Sequence, residues 1–162
     1  MLRAHHRRLR QQGRVARQLG ADEAIPYRET HFVQAVLDLT QGQGADIVFD
    51  TVGGATFSDS FAAVRPYGDL VTLLQPGADT DWKTARLRNL RISQELMLSP
   101  MYFGWTDAQQ HQAWILEQCA DLFDANTLRV HVDKVLPLGE AAEAHRLIEA
   151  GEIAGKVVLA LD

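Results

Sequence analysis

The sequence predicts an α/β fold, a parallel sheet with helices on both faces, and three observations carry that expectation. The segment "ADIVFD" places Ile47, Val48 and Phe49 in one unbroken apolar run. A strand covered on both sides looks like this, as the strands of parallel sheets are. Leu70–Leu74 makes a second such run, and between the two Phe57, Phe61 and Val64 recur on one helical face. Strand, helix and strand joined by short connections form a βαβ unit, because parallel neighbours require a crossover.

The other elements follow in order. Leu2–Leu19 reads as a polar, Arg- and Gln-rich helix closed near Gly20. Glu23–Tyr27 is a short strand whose Pro26 points to an edge or a strand end. Phe32, Val33, Val36, Leu37 and Leu39 mark an amphipathic helix, with Thr30 as its cap and Gly42 as its stop. "RPYGD", Arg65–Asp69, supplies a turn before the strand Leu70–Leu74. Leu90–Leu98 suits a further strand. Thr106 with Gln109 forms a capping-box pattern for a long helix over Asp107–Asp124, with Asn126 as a left-handed cap. Val130–Leu136 reads as a strand, Glu140–Ala150 as a helix ended by Gly151, and Val157–Leu161 as the last strand.

Composition excludes several classes of function. The 162 residues carry 16 Lys and Arg against 21 Asp and Glu, a net charge of −5. That balance argues against general nucleic-acid binding, which needs basic surface to neutralise phosphates. Arg3, Arg7, Arg8, Arg10, Arg14 and Arg17 crowd the start, and the simplest reading is a solvated helix face rather than a targeting segment. No apolar run approaches the roughly 18 residues of a membrane span. The single Cys119 excludes an internal disulfide, so a reducing cytoplasm is the expected setting.

Three segments together resemble a known family. "LGADEAIPYRE", "GADIVFDTVGGATFSDSFAAVRPYGDLVTL" and "LPLGEAAEAHRLIEAGEIAGKVVLALD" are similar, in that order and spacing, to the second half of the medium-chain dehydrogenases/reductases. The nearest branches are the quinone oxidoreductases and zinc-type alcohol dehydrogenases. The resemblance implies a Rossmann domain beside a smaller GroES-like barrel. No barrel-like segment and no G-x-G-x-x-G occurs in this sequence, so the expectation is an incomplete Rossmann-like sheet without its first βαβ unit and Gly-rich turn. It also implies a single partial domain, with residues 1–18 an atypical basic start and residues 19–162 family-like. In the strand order 3-2-1-4-5-6 the absent strands are the central ones. Glu23–Tyr27 is then expected to pair directly beside Ile47–Asp50, or another chain to fill the gap, because unpaired buried backbone groups are costly.

What the resemblance implies about sites can be placed residue by residue. Asp50, Thr51, Val52 and Gly53 match the turn that lines the adenosine and ribose of a nicotinamide cofactor, although two glycines in a tight turn need no ligand to explain them. Tyr27 matches a position near the adenine ribose in NADP-preferring members, and Arg28 stands beside it. Leu73 and Leu74 fall near the expected nicotinamide ribose, and Gly155 and Lys156 match a terminal "GK" that approaches the cofactor. The cofactor is NADP or NAD, without zinc, and weak or absent binding is expected from this chain alone. His131 and Asp133 share a strand face and supply two metal ligands with no third. The implied chemistry is hydride transfer between the nicotinamide and a small carbonyl, quinone or alcohol, for which the protein mainly orients the cofactor. No catalytic acid, base or nucleophile can be named. Asn89–Leu98 resembles the edge strand through which family dimers join, so a homodimer is expected. A non-catalytic module that folds and dimerises without productive cofactor binding is the alternative, and a methyltransferase-type sheet is a weaker third.

Overall fold

The structure, a computed structural model, describes residues 12–161. The described part of the predicted first helix is α1, residues 12–18; the part before residue 12, with His5 and His6, lies outside the described residues. The chain divides into two units, one formed by residues up to 26 and from 111 onward, the other by residues 27–110.

The unit of residues 27–110 holds the expected βαβ arrangement. It begins with α2 (Phe32–Leu39), followed by β1 (Ala45–Asp50), α3 (Gly54–Ala63) and β2 (Val64–Thr72). It continues with α4 (Trp82–Leu87), β3 (Arg91–Gln94) and α5 (Ser99–Phe103). The three strands form one parallel sheet in the order β1-β2-β3. Phe57 and Phe61 on α3 pack against Val64, Leu70 and Ala85, all buried, with Val48 and Ile92 alongside. Their rings meet edge to face at 4.9 Å, and Trp82 closes the cluster at 5.9 Å from Phe61. Edge-to-face contact suits rings whose edges are positive and faces negative. Phe57 and Phe61, read on one helical face, therefore become the core of this unit, whereas Val64, read on the same face, opens β2 instead and is buried from the strand.

The other unit is built around a two-stranded parallel sheet, β4 (Val132–Pro137) beside β5 (Lys156–Ala160). A short 3-10 turn (Leu138–Glu140) and α7 (Ala141–Glu149) connect them, burying Ala144 and Leu147. The long α6 (Thr106–Asp124) contains no buried residue. Asn126 and Gly151 take the left-handed conformation that ends α6 and α7, with φ of 57° and 60°.

Five expectations need correction. Glu23–Tyr27 is not a strand: residues 23–26 have no regular structure and Tyr27 opens a turn. Pro26 has no N–H for a ladder, and the short segment makes no strand pairing to offset the cost of ordering it. It therefore does not pair beside β1, which stands at the edge of its sheet. Ile47 and Phe49, read as covered on both faces, are 66% and 59% exposed, because α3 packs only against the face that carries Val48. Arg65–Asp69 belongs to β2, as an excursion. The β1–β2 register jumps from Ala45↔Val64 to Ile47↔Asp69, Tyr67 adopts φ 61°, and its N–H donates to the Arg88 carbonyl. Lastly, Leu90–Leu98 shortens to Arg91–Gln94, and His31 rather than Thr30 precedes α2, without a side-chain cap.

Candidate functional site

The carboxyl ends of β1 and β2 lie side by side, paired Asp50↔Thr72. Open α/β sheets bind ligands at such ends. Asp50 is buried, and its carboxylate accepts from the N–H groups of Val52 at 3.1 Å and Gly53 at 3.0 Å. The Thr72 hydroxyl donates to the other carboxylate oxygen at 2.7 Å and accepts from the Leu74 N–H. The Leu73 N–H donates to the Asp50 carbonyl. One aspartate thus folds its own turn back on itself and ties it to the neighbouring strand. Gly53 carries φ 73° with ψ −164°, a conformation open essentially to glycine alone. A Cβ built there would lie 2.7 Å from the Leu74 side chain.

This arrangement decides what the turn can offer a ligand. The Val52 and Gly53 amides point at Asp50 and are already satisfied. What faces outward is apolar: the Val52 side chain is 67% exposed, with Leu73 and Leu74 nearly half exposed. Such a shelf suits the face of a ring or a sugar. It supplies no phosphate-anchoring donors from those two amides, so the fit to a dinucleotide is partial. Thr72, which sequence reasoning did not single out, is the residue that fastens the site. Only the cross-strand register reveals it, because neither its spacing nor its type marks it.

The remaining predicted residues fall in other places. Tyr27 is exposed, and the Arg28 guanidinium lies 5.9 Å from its ring centroid, within reach of a cation–π contact. Gly155 and Lys156 belong to the unit with β4 and β5. A Cβ at Gly155 would stand 2.4 Å from the His131 carbonyl, and the Lys156 N–H donates to that same oxygen. Both residues border a cavity of about 460 Å³ formed with Val15, Leu19, Arg129 and His131. His131 Nε2 approaches Asp133 Oδ1 to 3.9 Å, and Asp133 also accepts from the Ala154 N–H. Among the described residues no group of three potential ligands surrounds a metal position.

Parallel strands joined by packed helices, with an Asp–Thr–Val–Gly–Gly turn at the strand ends, define an α/β protein. Comparison with known proteins places it further. The model of the zinc-binding dehydrogenases matches residues 19–159, and the chain belongs to that family. A quinone oxidoreductase of Pseudomonas aeruginosa is 27% identical over 149 residues, 92% of this chain and 46% of that protein. A 2-haloacrylate reductase of Burkholderia is 30% identical over 152 residues, 90% of this chain and 44% of that protein. A mycobacterial protein solved in complex with NADPH superposes with a TM-score of 0.76 at 25% identity, covering 93% of this chain and 47% of that one. The chain therefore spans slightly less than half the length of each of these three relatives.

Proposed function

We propose that this chain is the nucleotide-binding portion of an NAD(P)H-dependent oxidoreductase that transfers hydride between the nicotinamide and a small carbonyl, quinone or alcohol. The observation that carries the reading is the family match across residues 19–159, which includes the Asp50–Gly53 turn. In this reading Thr51, Val52, Gly53, Leu73 and Leu74 line the cofactor, with Tyr27, Gly155 and Lys156 as further contacts, and Asp50 holds the turn in shape. Residues 19–162 act as one family-like domain in the cytoplasm, and Asn89–Leu98 joins two copies into a homodimer. The zinc-binding name of the family is not carried over to this chain.

Bound alone, the cofactor is held weakly, because amides at a Gly-rich helix start supply much of the pyrophosphate anchoring and this sequence has no such turn. The alternative, a module that folds without productive cofactor binding, is favoured by one observation: Asp50 already occupies the turn's two donors. Titration with NADPH and NADH, followed by amide chemical shifts, tests the proposal. Shifts localised at Val52, Leu73 and Leu74 at millimolar cofactor support it. No shifts at millimolar cofactor leave the non-binding module, and shifts that spare Val52, Leu73 and Leu74 place the cofactor away from this turn.

A further inference from the structure

Gln12, Val15, Ala16 and Leu19 follow one another at intervals of three, one and three, so they share one face of α1 and of the turn that ends it. That face lines a cavity of about 460 Å³ whose other wall is built from Arg129–His131 and Ile153–Lys156. All of these residues belong to the unit of residues up to 26 and from 111 onward. The second wall is tied together before any ligand arrives. The Lys156 N–H donates to the His131 carbonyl, and the Ala154 N–H donates to the Asp133 carboxylate at 3.3 Å. Gly155 permits the approach, since a Cβ there would stand 2.4 Å from the same carbonyl.

The lining divides by chemistry. Val15, Leu19, Val130 and Ile153 make much of it apolar, and Leu19 and Val130 are each still 52% exposed. Arg129 and Lys156 supply two cations, both exposed and neither in an ion pair among the described residues. Arg17 on α1, by contrast, is paired with Glu23 at 2.6 Å. No Asp or Glu lines the cavity, and the sequence contains none before Asp22. In a chain of net charge −5, this concavity therefore has the opposite sign from the whole. Small-molecule sites are mostly apolar clefts of roughly 300–1,000 Å³ with a few polar groups that fix orientation. Two cations select an anion, yet exposed ion pairs contribute little by themselves. The ligand must therefore bring apolar surface as well as charge. The lining has no Phe, Tyr or Trp on which a nucleobase could stack.

We propose that this cavity binds a small carboxylate with an apolar body, its charge held by Arg129 and Lys156 and its chain laid against Val15, Leu19, Val130 and Ile153. The inference does not rest on cofactor binding, and a failed NADPH titration leaves it standing. Lys156 is a contact in both readings, so competition separates them. Octanoate is to be titrated into the full chain and followed by amide chemical shifts. Saturable shifts are expected at Val130, Ile153 and Gly155, with Val52, Leu73 and Leu74 unmoved. Hexanoate should bind about tenfold more weakly, the effect of two fewer buried methylenes. Octanamide should bind about fivefold more weakly than octanoate, the scale of two exposed ion pairs. Octanoate should lose a similar factor on the double variant Arg129→Gln, Lys156→Gln, whose urea midpoint stays that of the parent because neither side chain is buried or paired. The absence of saturable shifts at these three amides overturns the proposal. So does octanamide binding as tightly as octanoate, or a double variant with undiminished affinity, since the site would then be merely apolar. Inorganic phosphate producing the same shifts at the same concentration overturns it by making the apolar body irrelevant. Displacement of octanoate by NADPH at equal or lower concentration assigns the cavity to the cofactor and overturns it equally.

Discussion

Replacing Thr72 with Val removes one hydroxyl from a sealed position and leaves the side-chain volume nearly unchanged. Thr72 is 1% exposed, so no water stands ready to substitute. Its hydroxyl donates to the buried Asp50 carboxylate at 2.7 Å, and hydrogen bonds to charged groups contribute about 1.5–3 kcal/mol. The same oxygen accepts from the Leu74 N–H at 3.1 Å, a neutral bond that contributes about 1 kcal/mol. The substitution is therefore expected to destabilise the sheet of residues 27–110 by about 2.5–4 kcal/mol, a large share of the roughly 5–15 kcal/mol that holds a domain together. Thr72→Ser keeps the hydroxyl and deletes one buried methyl, a loss of about 1 kcal/mol. Amide exchange in β1 and β2 as a function of urea reads the opening of this sheet by itself. A Val variant within about 0.5 kcal/mol of the parent, the range of a neutral surface change, refutes the clamp. So does a Ser variant as damaging as Val, which would make the methyl and not the hydroxyl the source of the loss.

Phe61→Ala, at a fully buried ring packed on Phe57 and Trp82, is expected to cost about 3–5 kcal/mol and to leave residues 27–110 largely unprotected in hydrogen exchange. Gly53→Ala, at φ 73° with the Leu74 side chain 2.7 Å from the new Cβ, is expected to cost about 1–3 kcal/mol and to shift the Leu73 and Leu74 amide resonances. On acidification, the Arg91 guanidinium donating to Asp69 at 2.6 Å holds that carboxyl below its ordinary 3.8. A depressed carboxyl contributes stability that is present above the unfolded value and lost as pH falls through the folded one. Asp69→Asn should therefore lower stability modestly at neutral pH, where the pair with Arg91 contributes, and flatten the loss of stability below pH 3.8; an unchanged acid limb counts against the Arg91 assignment.

Elements decided by local periodicity were legible in the sequence. The face of α3 that carries Phe57 and Phe61, the helix α7 and its end at Gly151, the strands β1, β2, β4 and β5, and the left-handed end at Asn126 all follow from spacing and residue type. What sequence could not supply was the presence of neighbours. "DIVFD" carries the apolar run of a doubly covered strand, yet coverage depends on other segments, and among the described residues the face with Ile47 and Phe49 stays exposed. Glu23–Tyr27 failed for the same reason, since a strand exists only with a partner. Arg65–Asp69 looked like a turn because Pro66 and Gly68 are turn residues. The Arg88 carbonyl, 21 positions from Tyr67 in sequence, instead holds it as an excursion within β2. Asp50 was picked out as a ligand contact, and its role as the acceptor that builds the turn appears only when register brings Thr72 opposite it.

That role bears on how the turn can bind anything. A loop whose amides await a ligand is ordered by the ligand, and part of the binding free energy goes into the ordering. Here Asp50 satisfies the Val52 and Gly53 amides and Thr72 satisfies Asp50, so the outward shelf of Val52, Leu73 and Leu74 stands preformed. A ligand gains apolar contact there without ordering the backbone. It cannot recruit the same two amides for a phosphate unless the buried carboxylate gives up its donors, and a buried charge stripped of partners is strongly disfavoured. Affinity for a dinucleotide therefore divides physically: the shelf contributes to the adenosine or ribose portion, and the phosphates require donors from outside this turn. Fragments expose the division. Adenosine and NADPH should bind this chain with similar affinity, within about tenfold or roughly 1.4 kcal/mol. A preference for NADPH much beyond that would show that phosphate donors exist on this chain after all.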